Sequence, residues 1–310
     1  MKDITKKMIL GVGVLAGTTA VAGVVSYMIA KKLVGVALDR NHDLEGSKNQ
    51  VSGETGSEIF TKVRESAAER LEKCDSETVE ITTQDGIKLV GHWRTYNHAK
   101  RIIIAMHGWR SSWSKDFGLM ADFLYNNDCH VLYAEQRGQN NSGGEYMGFG
   151  MTERYDCLEW IKWVNAKGYE NLPIYLCGIS MGASTVLMTA GFELPKNVRG
   201  IIADCGYTSP SAIWKHVAEN NLHVSYDKWM SSIADEICRD KIQLGLKDYS
   251  CTEALENCNV PVLFIHGTDD RFVPVEMTYE NYKACAAPKR LLIIPGAGHG
   301  MSYMIDRKLY

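Results

Sequence analysis

Ser180 stands between two glycines in CGISMG (177–182), directly after the apolar run 174–176. Glycines on both sides of a serine, between an apolar strand and a helix, are what a sharp strand-to-helix elbow requires, because larger side chains would collide with the helix backbone. A serine so placed is either a nucleophile or a small residue in a turn, and the motif by itself admits both readings. Other polar groups follow other apolar runs. HGW comes after 102–106, EQRGQNNSGG after 131–134, DCGYTSP after 201–203, HGTDDRFVP after 262–265 and PGAGHG after 291–294. Imidazoles, carboxylates and a hydroxyl therefore recur at equivalent places along the chain.

The elements that must position these groups read as α/β. ETVEITTQDGIKLVGHW holds two alternating runs around Asp85 and Gly86, a hairpin signal with D-G turn chemistry. Beyond it, short runs rich in β-branched residues alternate with amphipathic stretches such as RYDCLEWIKWV, the pattern of a parallel sheet covered by helices on both faces. In such sheets chemistry gathers beyond the carboxyl ends of the strands, which is where the polar segments fall.

The bulk composition narrows the function. The chain has 310 residues, 45% hydrophobic and 23% charged, enough for one large globular domain with an appendage. Its net charge is −3 and no Lys/Arg run is interleaved with aromatics, so nucleic acid is not an expected partner. The nine cysteines have neither C-x-x-C pairs nor the Cys/His spacing of a zinc site, so no metal is expected, and an odd count leaves at least one thiol free, which favours a reducing environment. No G-x-x-x-x-G-K-[ST] phosphate cradle is present, and no cofactor is expected.

At the N-terminus, residues 8–30 carry no charge and are bracketed by Lys6, Lys7, Lys31 and Lys32. A helix of that length spans the roughly 30 Å hydrocarbon layer. The expectation is a single-pass membrane anchor over 1–32, with a cleaved signal peptide ending at Ala20–Val21–Ala22 as the rival, and with the side of the membrane left open. Residues 33–56 read as a linker, and 57–310 as the globular domain, opening on a helix that places Ile59, Phe60, Val63, Ala67 and Leu71 at helical spacing.

From about Glu77 to Met301 these motifs, in this order, resemble the α/β-hydrolase fold family, its serine esterases and prolyl-oligopeptidase-like members. Among these the chain is similar to bacterial membrane-anchored hydrolases of uncertain substrate, which share segments like GFGM-TERYDCLEW and DCGYTS. The resemblance implies a mostly parallel central sheet with helices on both faces and a small helical lid, here the insertion at about 208–259. It implies Ser180 as nucleophile, His299 as general base and Asp270 as the acid, with Asp204 as the competitor for that role. The backbone N–H groups of Met181 and Trp109 would be the oxyanion donors. The order Ser, Asp, His is that of this fold.

The function implied is cleavage of carboxylic esters through an acyl-enzyme, with a small-molecule ester or a short acyl or peptide substrate. Peptidase, aminopeptidase or thioesterase activity would use the same residues. A catalytically idle, membrane-bound interaction module is the alternative from another class. Within the insertion, Trp214, Trp229, Met230 and Ile233 are candidates to line an acyl or aromatic pocket. His107, His266, Glu135 and Arg137 read as loop architecture.

Overall fold

The computed structural model describes residues 23–42 and 58–310. Eight strands, β1 (Glu77–Thr82), β2 (Lys88–Arg94), β3 (Arg101–Met106), β4 (Cys129–Ala134), β5 (Ile174–Ile179), β6 (Val198–Asp204), β7 (Val262–Gly267) and β8 (Lys289–Ile294), form one sheet in the order β1-β2-β4-β3-β5-β6-β7-β8. β1 and β2 pair as the antiparallel hairpin, with Gly86 at φ +81° in its turn, and β2 joins β4 antiparallel. From β4 to β8 every pairing is parallel. This is the α/β-hydrolase arrangement.

The central strands read as unbroken apolar runs because both sheet faces are covered, and their side chains divide between two cores with period two. Ile102, Ile104 and Met106 of β3 join one core, whereas Ile103 and Ala105 join the other. The first core is closed by α5 (Glu153–Val164), α6 (Met181–Thr189), α7 (Pro210–His216), α8 (Lys228–Ile242), α9 (Cys251–Glu256) and α10 (Val275–Ala284). The second is closed by the C-terminal end of α2 (Glu58–Glu72), by α3 (Trp113–Phe117) and by α4 (Ala121–Asn126), with α11 (Ser302–Ile305) nearby. In α2 only Ala67, Ala68 and Leu71 are buried, while Ile59, Phe60 and Val63 of the expected apolar face are exposed. All nine cysteines are free.

The membrane-anchor expectation is corrected here. Residues 1–22, which hold most of the anticipated span and the Ala20–Ala22 cleavage site, lie outside the described residues, as do residues 43–57 of the anticipated linker. Among the described residues no helix is long and apolar enough to cross a membrane. The chain is helical over residues 23–38 (α1), straight through the lysine pair read as the end of the span. Lys31 and Lys32 are exposed, while Ala30, Val34 and Leu38, spaced by four, are fully buried in the first core. Those lysines therefore occupy the solvent side of a docked amphipathic helix, and residues 33–38 continue that helix, with Val34 and Leu38 in the core, rather than forming a linker.

The far end of α1 is fastened by backbone and side chain. Arg40 and Glu145 pair N–H to carbonyl at 3.0 Å, Met147 N–H donates to Leu38 O at 2.8 Å, and the Arg40 guanidinium donates to the carbonyls of Ser142 and Gly144 at 2.7 and 3.0 Å. The loop it grips is itself rigid. Glu135 accepts from the Asn141 N–H at 2.6 Å and bonds His92 Nε2 at 2.8 Å, and Arg137 donates to Asp156 and Asp85 at 2.6 and 2.8 Å. Val34→Asp would place an unpaired carboxylate in the core, so we expect a loss of at least about 2 kcal/mol in chemical denaturation. An unchanged midpoint would show that α1 is not docked in solution.

Candidate active site

Ser180 caps the start of α6 immediately after β5, with φ 57° and ψ −119°, a conformation that L-residues avoid. Its backbone is held from both sides, since its N–H donates to Asp204 O at 2.9 Å and its carbonyl accepts from Ser184 N–H at 3.0 Å. The flanking glycines are steric necessities. A Cβ on Gly178 would strike the carbonyl of Gly182, and one on Gly182 would strike the carbonyl of Met106. The elbow turns the Ser180 hydroxyl toward the loop after β8.

There Ser180 Oγ and His299 Nε2 are 2.8 Å apart, and His299 Nδ1 donates to Asp270 Oδ2 at 2.7 Å. Residues far apart in sequence are thus joined in one hydrogen-bonded chain. Asp270 Oδ1 accepts from the N–H groups of Phe272 and Val273, each at 2.9 Å, which fixes the carboxylate. His266 at the end of β7 adds a further support. Its Nε2 lies 3.0 Å from Asp270 Oδ2 and 2.9 Å from Val273 O, both acceptors, so that nitrogen carries the proton and donates. Its Nδ1 meets Thr278 Oγ1 at 2.6 Å.

Electrostatics reinforce the geometry. Burial works against charge on Asp270, but the facing His299 and the bonds from His266 and His299 hold its carboxyl well below the usual carboxylate range. Burial likewise opposes a proton on His299, and the Asp270 charge outweighs it, so the imidazole is raised well above its ordinary value. Asp204, the competing acid, accepts from Ser302 Oγ at 2.9 Å, and burial pushes it up to about 6. Asp269 accepts from Thr268 Oγ1 at 2.7 Å.

Cys205, with φ 50°, is the neighbour that sequence reading missed. Its thiol, Asp270 and His299 place donor atoms of metal-binding type within 4.8 Å of one another, a cluster that linear spacing could not reveal. Burial pushes the thiol up to about 11, and Asp270 and His299 are already bonded to each other, so the cluster reads as a relay with a neutral thiol beside it.

Met181 is the first residue of α6, so its N–H is a first-turn donor without an intrahelical carbonyl to bind. The HGW segment lies close by, since a Cβ on Gly108 would stand 3.3 Å from Ser180 Cβ. Asp116 Oδ2 accepts from Gly108 N–H at 2.7 Å, and His107 Nδ1 lies 2.8 Å from Gly108 O. Trp109 follows, its indole N–H donating to Ala37 O at 2.8 Å.

An apolar cleft of about 50 Å³ lies next to this chain of groups, meeting it through Phe272. Its inner end is formed by Trp109 and Phe272, and the Phe272 ring stands edge-on to the His299 imidazole at 4.9 Å. Phe149 contributes from the GFG turn, where Glu153 accepts from the N–H groups of Gly148 and Gly150 at 2.6 and 2.8 Å. One wall is α1, through Leu33, Val36 and Ala37, and the other is the β6–β7 insertion, through Ile213, Trp214, Ala218 and Tyr226. Of the residues expected to line a pocket, Trp214 does so, Met230 lies in the core and Trp229 is 62% exposed.

We expect the His299 imidazole to titrate above pH 6.5 in NMR, losing its proton as pH rises through the raised value, and to fall back in Asp270→Asn. A titration at or below the ordinary value in the unaltered protein would contradict the pairing.

Comparison with known proteins agrees with this architecture. An uncharacterized protein of Bacillus subtilis, YqkD, is 26% identical over 309 residues, covering 98% of this chain and 94% of that one. Mouse lysophosphatidylserine lipase ABHD12 is 27% identical over 197 residues, 63% of this chain and 47% of its own. Among solved structures, the Pyrococcus furiosus esterase Pf2001 superimposes with a TM-score of 0.59 at 25% identity, over 74% of this chain and 86% of that one. The sequence pattern of the prolyl oligopeptidase family matches residues 115–308, from within α3 to near the last residue of the sequence. The chain therefore belongs to the prolyl oligopeptidase family and is a serine hydrolase.

Proposed function

We propose that the protein cleaves carboxylic esters carrying an apolar acyl group, with Ser180 as nucleophile, His299 as general base and acid, and Asp270 as the carboxylate that orients and stabilises the imidazole. The observation that carries this reading is the continuous Ser180–His299–Asp270 hydrogen-bonded chain, with an apolar cleft next to it whose Phe272 packs on the His299 ring. In the first half-reaction Ser180 Oγ attacks the ester carbonyl as its proton passes to His299 Nε2, and the imidazolium then protonates the departing alkoxide. Water repeats the sequence on the acyl-enzyme and releases the acid. The N–H groups of Met181 and Trp109 receive the oxyanion, a contribution worth about a hundredfold or more per donor.

The cleft lining favours esters of hydrocarbon acids, because among the described residues it carries no charged side chain to grip an amino terminus. The name of ABHD12, a lipase for a lysophospholipid, supports an acyl ester in the same way. Membership of the prolyl oligopeptidase family supports a peptide amide as the second reading. In either case the insertion at about 208–259 serves as the lid.

A fluorophosphonate probe should label the protein and fail to label Ser180→Ala. With p-nitrophenyl esters, kcat should fall at least about 10⁴-fold in Ser180→Ala and about 10⁴-fold in Asp270→Asn, and less than about tenfold in Asp204→Asn. Each methylene that enters the cleft should raise kcat/KM by up to about fourfold, the equivalent of about 0.8 kcal/mol. Faster turnover of aminoacyl anilides than of esters would transfer the assignment to peptide bonds, and an unlabelled, folded protein would end it.

A further inference from the structure

We propose that α1 is a substrate-selecting wall of the active site, with Leu33 setting how long an unbranched acyl chain the cleft accepts; this rests on the ester reading above. Leu33, Val36 and Ala37 line the cleft together with residues of the β6–β7 insertion. Ala37 marks the inner end, because its carbonyl accepts the indole N–H of Trp109 at 2.8 Å, and Trp109 adjoins Gly108 beside Ser180. Leu33 lies one helical turn back on the same face, about 6 Å along the helix from Ala37 and its bond to Trp109. A chain growing outward from the acyl carbonyl passes Ala37, a small residue, before it reaches the larger Leu33.

The wall is fixed rather than resting loosely on the domain. The last carbonyls of a helix lack intrahelical partners and carry the negative end of its dipole. Here Arg110 supplies the donors, its guanidinium reaching Val36 O at 2.9 Å and Asp39 O at 2.5 Å, from the same segment that carries Trp109. Below, Ala30, Val34 and Leu38 are fully buried in the core. Val36 and Ala37 pack against that core as well as lining the cleft, whereas Leu33 lines the cleft alone, so residue 33 can change while Ala30, Val34 and Leu38 keep the anchor.

The test uses the full chain. Leu33→Trp should lower the ratio of kcat/KM for p-nitrophenyl octanoate to that for p-nitrophenyl acetate at least tenfold. Leu33→Ala should raise the ratio for decanoate to octanoate at least threefold, an opposite shift that misfolding would not produce. In a Ser180→Ala background, displacement of a bound fluorescent fatty acid by laurate should weaken at least tenfold with Leu33→Trp. Unchanged ratios together with unchanged laurate binding would overturn the proposal. Laurate binding that depends on residue 33, in a protein that cleaves no ester, would support the wall while sinking the ester reading.

Discussion

The backbone at Ser180 is the constraint from which the rest of the site follows. A serine with φ 57° at the junction of β5 and α6 is sterically unfavourable, at a cost of order 1–3 kcal/mol, and persists only because its surroundings overdetermine it. Gly178 and Gly182 let the helix approach Met106 and the elbow close on itself, while Asp204 O and Ser184 N–H hold the residue from either side. Relaxing that turn would swing the hydroxyl away from His299 and move the Met181 N–H with it. Geometry at one peptide unit thus fixes both the hydroxyl and a donor beside it.

Around this point the protein spends buried polar groups in pairs. Asp270 is surrounded by donors, two from backbone and two from imidazoles, so its charge is stable where an isolated carboxylate would not be. Asp204 accepts from the Ser302 hydroxyl, and burial pushes its carboxyl up to about 6. Two carboxylates at or beyond the ends of adjacent strands thus differ in how firmly their charge is held, according to the donors that face them. His266 belongs to the same scheme, holding the acid from behind while fixed by Thr278.

The two walls of the cleft come from segments far apart in sequence. The insertion between β6 and β7 supplies one and α1 supplies the other, each contributing apolar side chains. Because Trp109 and Arg110 fasten α1 to the loop after β3, the shape of the cleft and the position of that loop are mechanically linked. The N-terminal helix is accordingly part of the site rather than an attachment to it.

The strands, the hairpin at Asp85–Gly86 and the location of polar groups at strand ends were all legible in sequence, because period-two burial and turn chemistry are local properties of the chain. The types of Ser180, Asp270 and His299 were legible as motifs, yet only the folded sheet brings their atoms within 2.8 Å and sets Cys205 and His266 around them. The N-terminus was misread for a physical reason. A run of uncharged residues ending in two lysines has the same linear pattern whether it meets lipid or a protein core, and the difference lies in which face is buried. Ala30, Val34 and Leu38 inside, with Lys31 and Lys32 outside, is a fact of packing between distant segments, which no local pattern encodes.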